Sequence, residues 1–329
     1  MLEVILPGLL STVQDGGRRG YADLGVPRAG ACDPAALAVA NALLGNPADA
    51  AALEMTLAGP TLRVLATCVV ALAGAEFAAY VAEDGRRLRP GGAYLLRGGT
   101  TLVCGSATGG ARGYLALAGG IAVPSVLGSA ATYLAGGFGG LAGRPLRLGD
   151  CLLPTHPGDH QAAGRRWPDP PIYPPTGELP TVRVVPGPHL AAFVPDLLAV
   201  LTGAVWTVGP QSDRMGLRLQ GPPLVRSAAG QAELLSQGMV WGALQVPSDG
   251  QPIALLADHQ TVGGYPVPAV AIRADWPILG QLAPGAAVRF ALTDVPTAQA
   301  AYRAQQAAYR AACTLVTAVN GWDGSAWAG

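Results

Sequence analysis

The chain has 329 residues, half of them hydrophobic and 13% charged, with 21 basic and 21 acidic side chains and a formal net charge of zero. That balance argues against a nucleic-acid surface, which needs a basic excess to offset phosphate. Every basic residue is Arg, so a Walker-A lysine, a Schiff-base lysine and a lysine carrying biotin or lipoate are all excluded.

No run approaches the roughly 20 apolar residues that span a bilayer. The opening stretch, MLEVILPGLLSTVQDGGRRG, has no basic n-region and meets an acid at Glu3, so it reads as mature chain and a cytoplasmic location is expected. Cys32, Cys68, Cys104, Cys151 and Cys313 are far apart and odd in number; buried free thiols are expected, without a disulfide framework or zinc knuckle. No metal site is expected either, because His156 and His160, four apart, lie in loop-like PTHPGDHQ.

Along the chain, the first polar feature is STVQDGGRRGYADLGVPRAGACD at 11–33. Asp15 and Arg18 flank Gly16 and Gly17, which leaves two readings: a turn with a local ion pair, or the rim of a substrate cleft. Asp33-Pro34 is a good N-cap followed by Pro at the first helical position, predicting a helix to about Leu44 before Gly45. Short apolar runs at 69–73, 93–96, 114–118 and 181–185, set among 46 Gly and 29 Pro, predict strands. The fold class is therefore mainly β with a few helices, in sandwich or barrel form. The proline-dense stretch GRRWPDPPIYPPTGELP marks a linker at 153–180. It separates a β-rich domain at 1–152 from a second at 181–295, with a helix and tail at 296–329. Leu190, Phe193, Leu197 and Leu201 fall on one face and predict a helix over 190–201. A third helix, 297–313, carries Tyr302 and Tyr309 on a packing stripe.

Two stretches of the second half could carry chemistry. In GPQSDRMGLRLQG, Ser212, Asp213 and Arg214 cluster after a strand-like run. An Arg held by a neighbouring Asp would be a rigid fork for a carboxylate or amide oxygen; the bland alternative is a structural ion pair. In LSQGMVWGALQVPSDGQPIALLADHQTVGG, Gln245, Asp258 and Gln260 are polar residues in apolar strands. The two glutamines suit an amide or urea-like ligand, and Asp258 could orient one of them or take a proton. Gly263 and Gly264 would let backbone N–H groups approach a ligand oxygen. His259 would face away from Asp258 and Gln260 if this segment is a strand. No G-x-S-x-G, H-E-x-x-H or G-x-G-x-x-G motif is present. Residue types and spacing alone stop at two β-rich domains with a small-molecule cleft in the second.

Seven segments carry a wider resemblance: TVQDGGRRGYADLGVP, ALAVANALLGN, LEMTLAGPTL, LGSAATYLAGGFGGLAGRPLRLGD, SDRMGLRLQG, GALQVPSDGQPIALLADHQTVGGYP and GQLAPGAAVRF. In this order, over about 2–292, the chain resembles the biotin-dependent carboxyltransferase-like family. Its members include allophanate hydrolase subunit 2, the C component of 5-oxoprolinase and a sporulation kinase-inhibitor antagonist. The resemblance implies two β-barrel-like domains, the second cyclophilin-like. It implies an enzyme subunit, foremost the C component of an ATP-dependent 5-oxoprolinase that opens 5-oxo-L-proline to L-glutamate. Partners would be a sister subunit of related fold, the B component, and a lactam-utilisation-type A component. No cofactor would be bound by this chain; a partner would use ATP. The alternatives it implies are a carboxyltransferase on urea, with biotin on another chain, and a regulator that binds a kinase inhibitor resembling the sister subunit.

On this resemblance Arg214, Asp258 and Gln260 are the expected catalytic residues. Ser212, Asp213, Gln245, Gly263, Gly264, Tyr265, Asp15 and Arg18 would bind substrate. Four positions depart from the family pattern: Ala29 for Ser, Cys32 for Met, Gln237 for Glu and His259 for Arg.

Overall fold

The structure is a computed structural model and describes residues 1–168, 179–228 and 234–318. Residues 169–178 of the expected linker and 319–329 of the expected tail lie outside the described residues.

The first half is one curled sheet of nine strands: β1 (Leu2–Leu6), β2 (Leu10–Gln14), β3 (Ala52–Thr56), β4 (Thr61–Val64), β5 (Cys68–Val81), β6 (Arg87–Leu88), β7 (Gly92–Leu96), β8 (Thr101–Leu117) and β9 (Cys151–Leu152). Its main path is β2-β3-β8-β4-β1-β9, and β5 pairs with β6, β7 and β8. The runs expected as strands at 69–73, 93–96 and 114–118 fall in β5, β7 and β8. The long β5–β8 ladder runs from Val70↔Leu117 to Val81↔Leu102 and shifts register between Gly74 and Ala79. Such bulges bend and twist a strand pair. Gly74 sits at φ +84, and a Cβ there would come within 2.5 Å of the Arg112 carbonyl, so only Gly fits the bend. One face buries Leu2, Leu53, Leu62, Leu102 and Leu115. The other is covered by α1 (Pro34–Leu44), which begins and ends as expected: Asp33 caps the Ala36 N–H at 2.9 Å, and Gly45 closes it in the left-handed region.

The second half is a closed barrel in the order β10-β17-β14-β15-β12-β11-β18. Its strands are β10 (Thr181–Pro186), β11 (Trp206–Val208), β12 (Gly216–Gln220), β14 (Ala243–Gln245), β15 (Ile253–Leu255), β17 (Ala269–Ala271) and β18 (Ala287–Leu292). A two-stranded flap, β13 (Gln237–Gly238) and β16 (Val262–Gly263), stands beside it. The parallel pairing of β10 with β18 closes the ring. Trp206, Leu201, Val184, Leu244 and Val288 fill it.

The helix expected over 190–201 is broken. A 3-10 turn, Leu190–Ala192, is followed by extended Phe193, and α2 (Leu197–Gly203) starts afresh. Pro195 disfavours helical backbone at Val194, and this overrides the apolar periodicity. α3 (Trp276–Gln281) and α4 (Val295–Ala318) complete the chain. α4 outruns the expected 297–313 and packs back onto the first half: Tyr309 stacks on Trp167 at 5.6 Å and its hydroxyl donates to the Ala38 carbonyl. Residues 153–168 do not run free; Ala93 donates to the Arg165 carbonyl and accepts from the Gly164 N–H, and Trp167 donates to the Gly91 carbonyl. Of the cysteines, Cys32, Cys68 and Cys104 are buried, Cys313 is half-buried and Cys151 is exposed, which corrects the expectation of five buried thiols. Among the described residues no helix is long and apolar enough to cross a membrane.

Trp206 is fully buried and its indole donates to the Leu201 carbonyl at 3.0 Å. Trp206→Ala is expected to cost about 3–5 kcal/mol in urea denaturation; a loss under about 1 kcal/mol would remove it from the barrel's core.

Candidate functional site at the seam between sheet and barrel

Arg214 precedes β12 in a turn that Ser212 and Asp213 build. Ser212 Oγ accepts the Arg218 N–H at 3.0 Å; Asp213 Oδ1 accepts those of Met215 and Gly216. Asp213 is thus a turn residue and not the carboxylate that holds Arg214, a correction to the sequence reading. The partner is Asp258, reached by Arg214 Nε at 2.9 Å and Nη2 at 3.0 Å. Nη2 also donates to the Gly30 carbonyl at 2.6 Å, and Nη1 to Glu54 Oε1 and, at 3.3 Å, to Cys32 Sγ. A guanidinium has five N–H protons, and five acceptors surround this one. All five Arg214 donors are thus taken by protein acceptors. In this structure its contacts fasten the barrel to the sheet.

Glu54, on β3, receives this charge from the other side. It is almost fully buried, and its Oε2 accepts from the Cys32 N–H at 2.9 Å and the Tyr114 hydroxyl at 2.6 Å. Gln281 of α3 crosses the same seam, donating to Asp33 Oδ2 at 2.8 Å and accepting the N–H groups of Ala111 and Arg112. Sequence reasoning passed over Glu54, Tyr114, Arg112 and Gln281. The available signal was a lone acid inside an apolar strand, ALEMT.

The two carboxylates on Arg214 shift in opposite directions. Burial pushes Glu54 up, but the Arg214 and Arg112 charges, the Tyr114 hydroxyl and the Cys32 N–H outweigh it and hold the group below its usual range. At Asp258 burial wins over Arg214, and the pKa is raised. Asp33 is pushed up to about 7, by burial that the Gln281 and Ala36 bonds only partly offset.

Residues 257–258 form a turn rather than a strand, so the expected alternation of His259 against Asp258 and Gln260 does not apply. His259 is buried with Nδ1 against the Gln260 carbonyl at 2.7 Å, and burial lowers its pKa. Beyond it, Gln260 Nε2 donates to Gln245 Oε1 at 2.6 Å, and Gln245 Nε2 lies 3.1 Å from Met239 Sδ. Gly263 backs onto this pair; a Cβ there would meet Gln245 Nε2 at 2.5 Å. Opposite Gly263 in the flap, Gln237 places its amide against Nε2 of His189, whose Nδ1 accepts the Val267 N–H at 3.0 Å. His189, also missed, lies on this wall, and burial lowers its pKa. Gly264 and half-exposed Tyr265 follow at the rim.

Asp15 and Arg18 do not form the local pair that was one of their two readings. The Asp15 carboxylate accepts from the Gly17 N–H, Ser129 Oγ and the Ala130 N–H. Arg18 is buried, donates from Nη2 to the Ala131 carbonyl at 2.6 Å and lies 4.9 Å from the Phe138 ring. Among the residues that depart from the family pattern, Cys32 contacts Arg214, and Ala29, three residues before it, holds a left-handed φ of 51. Among the described residues no group of three or more His, Cys, Asp or Glu could hold a metal ion.

Residues 24–292 match the carboxyltransferase domain family, subdomain A and B. The chain is 38% identical over 311 residues to the C component of 5-oxoprolinase from Escherichia coli, covering 93% of this chain and 96% of that protein. It is 33% identical to urea amidolyase of Saccharomyces cerevisiae over 304 residues, 88% of this chain but 16% of that protein. The crystal structure of the K. lactis urea amidolyase superposes with a TM-score of 0.84 at 29% identity, over 94% of this chain and 20% of that one.

Removing one member of a buried charge cluster strands the others. Arg214→Met is expected to lower stability by about 3–5 kcal/mol in chemical denaturation; a loss below about 1 kcal/mol would show that the seam does not depend on it. Asp33 binds its proton up to about pH 7 when folded but loses it near the ordinary carboxylate range when unfolded. Its contribution to stability therefore falls as pH rises from about 4 to 7. The stability difference between wild type and Asp33→Asn should shrink over that interval; a flat difference would contradict the assignment.

Proposed function

The chain belongs to the carboxyltransferase domain A and B family, and we propose that it is the C component of an ATP-dependent 5-oxoprolinase, a hydrolase subunit that works on a cyclic amide C–N bond. The observation that carries this reading is the Gln245–Gln260 pair next to Asp258 in the chain. Each side-chain amide nitrogen bears two protons and uses one within the pair or on Met239. One N–H from each stays available for a planar amide. Gln260, half-buried, would hold the substrate amide, with Gln245 fixing its orientation and Gly263, Gly264 and Tyr265 forming the rim.

Asp258 would accept the proton as water adds to the lactam carbonyl and the C–N bond opens. Its raised pKa makes it a stronger base than an exposed Asp. Arg214 touches no substrate in this scheme; it positions Asp258. ATP would be handled by the lactam-utilisation-type A component, in keeping with a chain that has no Lys. The B component, a sister of related fold, would complete the complex in the cytoplasm.

The second reading is carboxyl transfer to urea, supported by the likeness to urea amidolyase. Urea presents the same planar amide, and carboxybiotin would arrive on another chain.

The test is reconstitution with the A and B components and assay of ATP-dependent glutamate release from 5-oxoproline. Release should vanish without this chain. Asp258→Asn should lower kcat by about 10²- to 10⁴-fold, and Gln260→Leu should raise KM by about 2- to 10-fold. No glutamate from a folded complex, with avidin-sensitive urea carboxylation instead, would replace this reading by the second.

A further inference from the structure

We infer that Arg18 is the residue that takes a carboxylate of the substrate, so that the cleft selects a small anionic amide over a neutral one. Arg18 is only 2% exposed, yet among the described residues its Nε and Nη1 have no hydrogen-bond partner. Three N–H protons of a cation that cannot be neutralised are thus buried without acceptors. Arg214, almost as deeply buried, has an acceptor for every donor. A buried charge left this way carries a large penalty unless something supplies oxygens.

Among the described residues nothing nearby supplies them. Asp15, three residues away, is committed to the Gly17 N–H, Ser129 Oγ and the Ala130 N–H. Asp258 is close enough for its charge to act on Arg18, but its oxygens are held by Arg214. A single carbonyl oxygen has two lone pairs and cannot take three protons. A carboxylate has two oxygens with about four acceptor sites and can.

The place also has a cover. Tyr133 and Phe138 pair through their backbones and pack edge to face at 5.5 Å, and Phe138 lies against the guanidinium. Between them Ala135, Gly136 and Gly137 are exposed. A Cβ on Gly139 would fall 2.0 Å from the Ala131 carbonyl and 2.9 Å from Arg18 Nη2, so the backbone itself lies on the arginine. A ligand would reach Arg18 by displacing this short loop.

The inference rests on the proposed role of Asp258, which lies within electrostatic reach of both Arg18 and Tyr133. Its test is binding to the full chain, alone and in the reconstituted complex. The probes are 5-oxoproline, 2-pyrrolidinone (the same lactam without a carboxylate) and bicarbonate. Wild type should bind 5-oxoproline about 10- to 100-fold more tightly than 2-pyrrolidinone. Arg18→Met should abolish that preference while leaving 2-pyrrolidinone affinity unchanged. Equal affinity for the two lactams in wild type, a measurement that needs no variant, would overturn the inference, as would a preference that survives in Arg18→Met. Arg18-dependent binding of bicarbonate without binding of 5-oxoproline would keep the anion site but assign it to carboxyl transfer. Glutamate release that ignores Arg18 would leave the proposed function standing and remove this residue from it.

Discussion

The arrangement turns on one buried guanidinium. Arg214 comes from the barrel, Glu54 and the Gly30 carbonyl from the sheet half, and Asp258 from a turn after β15. Taking a cation and two carboxylates out of water is costly, and their attraction repays it only when the geometry satisfies every donor. That condition holds only if the two halves dock in one relative position. The cluster therefore acts less as a source of stability than as a gauge of alignment: a shifted barrel would leave charges stranded. Gln281 repeats the device, bonding to Asp33 and to both backbone groups of Arg112.

Small residues make this contact possible. A Cβ on Gly280 would lie 2.2 Å from the Cys32 carbonyl, so α3 can approach the loop before α1 only because position 280 is Gly. Trp241 and Trp276 stack at 4.3 Å and pack with Cys32 and Ala257. This flat apolar surface beside Arg214 keeps water from the ion pairs and lowers the local dielectric. The same exclusion of water lifts Asp258 above the ordinary range and makes the unanswered donors of Arg18 conspicuous.

What could be read from the chain was what neighbours dictate to neighbours. Asp33-Pro34 and Gly45 delimit α1 because capping is settled within a few residues. The apolar runs became β5, β7, β8 and β10 because strand pattern is also local. The break at Val194-Pro195 was written in the sequence too, but the apolar stripe masked it. The site was half legible. Arg214, Asp258, Gln245 and Gln260 stood out as polar residues among apolar ones, and the structure joins them in two pairs. Arg214 was matched to Asp213 because adjacency was the only distance at hand, whereas its partner lies 44 residues on. Glu54 was missed because it is 160 residues from Arg214, and the β-sheet topology that joins them leaves no local trace. The parallel closure of β10 on β18 is hidden for the same reason.

The two carboxylates on Arg214 show how one cation can serve two purposes. Glu54 lies inside the sheet with two arginines, a hydroxyl and an N–H on its oxygens, so it stays ionised and structural. Asp258 lies on a turn, shares only Arg214 and faces burial with fewer donors, so its anion is the less stable of the two. Groups whose surroundings drive their pKa values apart are those that can divide the work of holding charge and moving protons. The difference does not come from the arginine, which touches both. It comes from what each carboxylate's own half of the molecule adds: a full shell from the sheet, an incomplete one from the barrel. On that division Glu54 anchors the cation, while Asp258, the proposed base, keeps the incomplete shell and with it the raised pKa.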